Sequence, residues 1–349
     1  MNGVLDGATL DSQGMAAAAA ALPEQVRDAA VRARGLDGLP ERDRIENVVV
    51  VGMGGSGMAG DILAATAGPF LSVPVIVSKG YELPAFVGES SLVFAVSFSG
   101  NTEETVEAAS TAAVEGARLV VITQGGELGR LASSWGVPTV GVPFDLPQPR
   151  AGIGALAIPA LVVLEEIGLF VGAQQWIDLA VEQLCRRRDA LLGDDDVAQV
   201  LARRIGRTVP ILYGGGEVGA TAAQRWKNEI NENAKAPAFW HAQPELCHNE
   251  VVGWGQHGDL TRQVFTVVNL RHDFEHPQVV RRFELVSALI DEVVASIEEV
   301  RAEGEGQLAQ LLDLILVGSF VSLHLAAQEG LDPGPIPVLD HVKAVVATA

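Results

Sequence analysis

The run IENVVVVGMGGSGMAGDIL, from Ile45 to Leu63, restricts the fold more than any other part of the chain. Asn47 to Val51 carry no polar alternation, so they read as a strand covered on both faces. Gly52 to Gly57 then form a turn, and a helix follows. Strands are expected at Val73 to Val77, Ser91 to Val96, Ala117 to Ile122 and Thr139 to Val142. Helical stretches such as Thr102 to Gly116 alternate with them, which predicts βαβ units and a parallel sheet. A helical region from Ile153 to Leu192 leads to the acidic run Asp194–Asp195–Asp196. The pattern then restarts. Thr208 to Tyr213 reads as a strand, Gly214 to Gly216 as a turn and Ala220 to Asn231 as a helix, about 160 residues after the first unit. Further strands are expected at Phe239 to Ala242 and Val264 to Leu270, with helices at Val279 to Glu303 and Gln307 to Gln328. The second turn lacks a counterpart of Ser56, so one phosphate site is expected rather than two.

A chain of 349 residues suits two domains. They are placed at 1–194, with an N-terminal helical extension around Asp6, Asp11 and Ala16 to Ala21, and at 195–349. With a formal charge of −20 the chain is a poor ligand for nucleic acid, which demands clustered Lys and Arg. An anionic substrate would need backbone amides and one or two placed cations instead. Cys185 and Cys247 make no disulfide framework, and with no basic leader at the N-terminus a reducing, cytoplasmic location is expected. The apolar stretches Ile153 to Val163 and Leu311 to Ala327 fall short of a span of about 20 residues. The second contains Asp313 and His324. Both read as buried helices, so no membrane partner is expected. Arg186–Arg187–Arg188 reads as a solvated helix face.

Two loops carry the chemistry. Gly52-Met-Gly-Gly-Ser-Gly57 has the GxGxxG spacing of a dinucleotide site, a phosphate or sugar site, or a tight turn. The next strand ends in Val77-Ser78-Lys79-Gly80, without the acidic residue that would hold a ribose. Ser97-Phe-Ser-Gly-Asn-Thr102 ends a buried strand and opens a helix, so three hydroxyls converge with free amides. The alternative is a capping box built on Ser99 or Thr102. His272 and His276 are four apart, but Pro277 argues for a loop rather than a metal-binding helix. Cys247 reads as a packing residue.

GMGGSGMAGDIL and SFSGNTEET resemble the two signatures of sugar-isomerase (SIS) domains, the first in the form found in bifunctional phosphoglucose/phosphomannose isomerases. Gln148-Pro-Arg150-Ala151, Asn231-Glu-Asn-Ala-Lys-Ala-Pro237 and Pro244-Glu-Leu-Cys-His-Asn-Glu250 are similar to later segments of that family, in the same order. Asp332-Pro-Gly-Pro-Ile-Pro337, ahead of Lys343, resembles its C-terminal tail. The chain departs from the pattern at Gly334, where relatives often carry Thr, and at Gly152, where Ala is common.

The resemblance implies two SIS domains, each a doubly wound parallel sheet flanked by helices, and an aldose–ketose isomerase acting on sugar phosphates. It implies that Ser97, Ser99 and Thr102 take the phosphate and that Gly54, Gly55 and Ser56 lie nearer the sugar. Glu232 would move the C2 proton, His248 would open the ring with Lys343, and Arg150 would stabilise the enediolate. No metal or other cofactor is required. The histidine would come from the neighbouring subunit of a homodimer. A non-catalytic sugar-phosphate sensor or inactive homologue is the other reading.

Overall fold

The computed structural model describes residues 10–194 and 196–346; Asp6 of the expected N-terminal extension and Asp195 at the expected domain boundary lie outside them. The first sheet contains β1 (Asn47–Val51), β2 (Val75–Ser78), β3 (Ser91–Ser97), β4 (Arg118–Thr123) and β5 (Thr139–Gly141). Its order is β2-β1-β3-β4-β5, with every pairing parallel. The second contains β6 (Val209–Gly215), β7 (Phe239–Gln243), β8 (Phe265–Arg271) and β9 (Ser296–Arg301), in the order β7-β6-β8-β9 and again parallel. The same doubly wound plan is thus laid down twice.

Alternation along the strands explains how the halves join. Val48 and Val50 point to one face of β1, Val49 and Val51 to the other. The first pair enters a core that also holds Phe94, Leu212, Val268 and Trp226, and so runs through both halves. The second pair packs under the helices Glu103–Val114 and Gly126–Trp135. Ile211, Tyr213 and Val267 build a separate outer core against the helix Pro277–Ile290. Inside the shared core runs the helix Gln307–Gln328, whose apolar window has a mean hydropathy of 1.8 and is wholly buried by the protein.

Two expectations need correction. The single helix Val279 to Glu303 is in fact the helix Pro277–Ile290, a turn and the edge strand β9. The segment SIEEVR has good helix formers, and its pairing with β8 overrides that local preference. Charges suit an edge strand, and Glu298 and Glu299 are held by Arg204 at 2.7 Å and Arg271 at 2.9 Å. The triple arginine is likewise not a uniformly solvated face. Arg187 is buried and makes a bidentate pair with the fully enclosed Asp313, both bonds 2.8 Å. Gln183 and the Glu303 amide complete the Asp313 shell.

Close approach of the central helix is set at Gly318, where an added methyl would fall within the contact envelope of the buried Trp226 ring. Trp226 is itself held by its Nε1–H to the Leu314 carbonyl at 2.7 Å. Gly318→Ala gains helix propensity of about 1 kcal/mol, but overpacking costs roughly 1–3 kcal/mol. The substitution is therefore expected to lower the urea midpoint, as read by circular dichroism; an unchanged or raised midpoint would show that the ring yields.

Candidate active site

In a sheet of this order the direction in which successive strands are added reverses between the parallel neighbours β1 and β3, and ligands bind outside the carboxyl ends there. The two loops singled out in the sequence leave those strands at that point. The helix Gly54–Thr66 follows β1, and the helix Glu103–Val114 follows β3 through Phe98 to Thr102. Ser56 joins the loops: it is buried, and its Oγ accepts from the Phe98 amide at 3.1 Å. Ser97 is also buried, with Oγ donating to Thr102 Oγ1 at 3.0 Å and accepting from the Gly100 amide at 3.1 Å. Ser99 Oγ accepts from the Asn101 amide at 3.2 Å. The hydroxyl protons of Ser99 and Thr102 remain available as donors. The capping-box alternative fails, because no side chain caps the helix Glu103–Val114. Its first-turn amides stay open at the positive end of the helix dipole.

Gly55 connects this cradle to the next group. A Cβ there would lie 3.2 Å from the Pro149 carbonyl and 3.3 Å from the Arg150 nitrogen, so the glycine lets the 149–152 turn press against the loop. Arg150 is enclosed, its side chain 1% exposed. Its Nε donates to Asn233 Oδ1 at 2.7 Å and its Nη1 to Glu232 Oε2 at 3.3 Å. Its Nη2 donates to the carbonyls of Pro333 at 2.6 Å and Gly334 at 2.8 Å. Burial pushes this guanidinium below its usual range, while Glu232 and Glu229 act in the opposite sense.

Glu232 stands in a π-helical turn, Ile230–Ala234, that closes the helix Gly216–Glu229. The widened turn breaks the regular ladder, a feature concentrated at functional sites. Lys235 ends it with φ 55°, and its Nζ donates to the Glu232 carbonyl at 2.7 Å and the Pro333 carbonyl at 3.0 Å. Behind it, burial raises the Glu229 carboxyl above its ordinary range, although Arg225 and Ser319 hydrogen-bond it. Asn233, Lys235, Arg225 and Glu229 escaped the sequence reading as site residues. Asn233 and Lys235 had a signal, a dense polar cluster at a helix end; Arg225 and Glu229 had only their four-residue spacing.

Gly54 to Ser56, Ser97 to Thr102, Arg150 and Glu232 thus form one chain of contacts. His248 and Lys343 are not part of it. The π turn that carries Glu232 delivers the chain to the start of β7, whereas His248 lies beyond the other end, its side chain exposed on the turn Glu245–His248. The intervening strand alone rises roughly 16 Å. Glu250 anchors that turn, accepting from Tyr213 Oη and pairing with His241 Nδ1 at 2.7 Å. Cys247 packs against the outer core. Lys343 sits on the helix Pro337–Val346, of which no described residue is buried. His272 Nε2 meets the Gly215 carbonyl at 2.8 Å and its Nδ1 accepts from the Phe274 amide; His276 caps the helix Pro277–Ile290. The two imidazoles serve the fold separately.

The second sheet has the equivalent crevice, between β6 and β8, but fills it with its own side chains. A Cβ on Gly215 would lie 2.8 Å from Val279 and 3.0 Å from Phe283. Arg271 there is paired to Glu275 at 2.7 Å and stacked 4.3 Å over the Phe283 ring.

Comparison with known proteins decides the family. Residues 194–346 match the bacterial phospho-glucose isomerase C-terminal SIS domain, and residues 44–135 match the SIS domain. A bifunctional phosphoglucose/phosphomannose isomerase from Caldicellulosiruptor bescii is 33% identical, over 93% of this chain and 97% of its own. The chain belongs to the bifunctional phosphoglucose/phosphomannose isomerase family. Another family member, from Aquifex aeolicus, is 31% identical over 85% of this chain and 89% of its own. A hypothetical protein from Thermus thermophilus shares the two-SIS-domain fold at 14% identity, with TM-score 0.70, covering 96% of this chain and 90% of that one.

In this isomerase-family site, replacing Arg150 by Lys keeps the charge and loses the planar fork that reaches three segments at once. Unfolding in urea is expected to show a loss of at least about 2 kcal/mol, since hydrogen bonds to a buried charge are removed. An unchanged midpoint would mean that the strap at 333–334 is held by other contacts.

Proposed function

We propose that this chain interconverts glucose 6-phosphate or mannose 6-phosphate with fructose 6-phosphate through a cis-enediol. The observation that carries the reading is the Glu232 carboxylate, 3.3 Å from a buried guanidinium, on the wall that continues into the hydroxyl and amide cradle. The names of the Caldicellulosiruptor and Aquifex relatives support the same substrates.

Ser99, Thr102 and the open amides receive the phosphate, while Ser97 and Ser56 set the loop shape and Gly54 and Gly55 admit the sugar. Glu232 takes the proton from C2 and returns it to C1. Arg150 lies one hydrogen bond behind it, and four of its five N–H groups are engaged by the protein. Its charge is held in place as negative charge develops on the enediolate oxygen, the condition for electrostatic stabilisation without reorganisation. Glucose and mannose 6-phosphates differ only at C2 and collapse to the same enediol. His248, aided by Lys343, opens the ring from the neighbouring subunit of a homodimer. The exposed positions of His248 and Lys343 support that assignment. The domains divide at residue 195. A non-catalytic sensor would have no use for the Glu232–Arg150 pair.

Glu232→Gln is expected to lower turnover roughly 100- to 10,000-fold with sugar-phosphate affinity nearly unchanged, by coupled assay and calorimetry. Wild-type turnover in this variant would remove Glu232 as the base. Mixing two inactive variants, Glu232→Gln and His248→Ala, is expected to restore activity, because a heterodimer carries one site with both native groups. No recovery after verified subunit exchange would place both groups in one chain.

A further inference from the structure

Gly334 carries no side chain, and the space beside it is already taken. A Cβ built on Gly334 would lie 2.8 Å from Gln13 Cγ and 2.9 Å from both its Cβ and Cδ. The root of Gln13 takes part in this contact, so rotating the amide alone would not clear the space. Gln13 occupies the room that a residue-334 side chain would take.

Its position is held from several directions. Gln148 Nε2 donates to Gln13 Oε1 at 2.8 Å. The neighbouring Ser12 amide donates to Asp332 Oδ1 at 3.4 Å, and Asp11 accepts from the Met15 and Ala16 amides at 2.8 and 2.9 Å. Both anchors of the Gln13 side chain lead to one cation: Gln148 is two residues from Arg150, and the Gly334 carbonyl accepts from Arg150 Nη2. Gln13 is exposed, its Oε1 is engaged, and its Nε2 has no partner among the described residues. The result is an amide donor with a fixed root on the rim of the Arg150–Glu232 pair.

We propose that Gln13 is a specificity-determining residue that donates from Nε2 to a hydroxyl of the bound hexose phosphate. The inference rests on the isomerase reading above. The two aldose phosphates differ only in the direction of the C2 hydroxyl, beside the carbon on which Glu232 acts. A donor fixed on that rim serves one epimer better than the other.

The test compares kcat/KM for glucose 6-phosphate and mannose 6-phosphate in the wild type, Gln13→Glu, Gly334→Ala and the double variant Gln13→Gly/Gly334→Ala. Gln13→Glu keeps the shape and the bond from Gln148 but removes the donor. It is expected to change the ratio of the two values by about fivefold, the effect of one hydrogen bond. Gly334→Ala is expected to lower both values through the clash, and Gln13→Gly in the same chain to relieve that loss while leaving the ratio shifted as in Gln13→Glu, a coupling expected of residues in contact. An unchanged ratio in Gln13→Glu, or a parallel loss on both substrates, overturns the specificity role. Full activity in Gly334→Ala alone overturns the steric premise. If the wild type converts neither substrate, the isomerase reading itself falls and this inference with it.

Discussion

The site depends on one enclosed cation. Arg150 leaves the first half of the chain and engages Asn233, Glu232 and the carbonyls of Pro333 and Gly334, which belong to the second half and its tail. Removing a guanidinium from water costs on the order of several kcal/mol, and only a full set of well-placed acceptors offsets it. Here the acceptors are themselves tied down. Asn233 Nδ2 donates to Ser322 Oγ at 2.9 Å, Ser322 to the Ser319 carbonyl, and Ser319 Oγ to the buried Glu229. The geometry of the proposed base is thereby set by the central helix, not by the mobility of a surface carboxylate.

The same arrangement answers the problem of an acidic chain with an anionic ligand. A net charge of −20 acts over the whole surface, but exposed charges are screened beyond about 8 Å at physiological salt. At the β1–β3 crevice, hydroxyls, open helix amides and the guanidinium behind them offset the nearby carboxylates of Glu103, Glu104 and Glu232. The chain needs no basic surface to present a cradle of this kind.

Duplication of the fold did not duplicate the site. Both sheets share the strand order that opens a crevice at a switch point. In the first, the loop is built of glycines and hydroxyl residues, and a Cβ on Gly54 would meet nothing within 4 Å. In the second, Phe283, Val279 and the Arg271–Glu275 pair occupy it, and His272 closes on the Gly215 carbonyl. The backbone plan determines where a ligand could bind, and side-chain volume determines whether it can.

How much was legible in advance follows the range of the interactions involved. Asn47 to Val51, Gly52 to Gly57 and Ser97 to Thr102 announce strand, turn and helix start through neighbours in the chain, so the parallel sheets and the cradle could be read directly. Glu232 and Arg150 could be named from resemblance, but their pairing spans 82 residues and exists only in the packed chain. β9 was hidden because glutamates favour a helix until an adjacent strand offers a ladder. Arg187 looked solvated until Asp313, 126 residues on, was seen buried beneath it. Gln13 gave no signal at all. Local backbone preference and apolar periodicity are properties of a segment, and the sequence determined them alone. Which polar groups meet across the core depends on how those segments pack, and only the tertiary structure decided it.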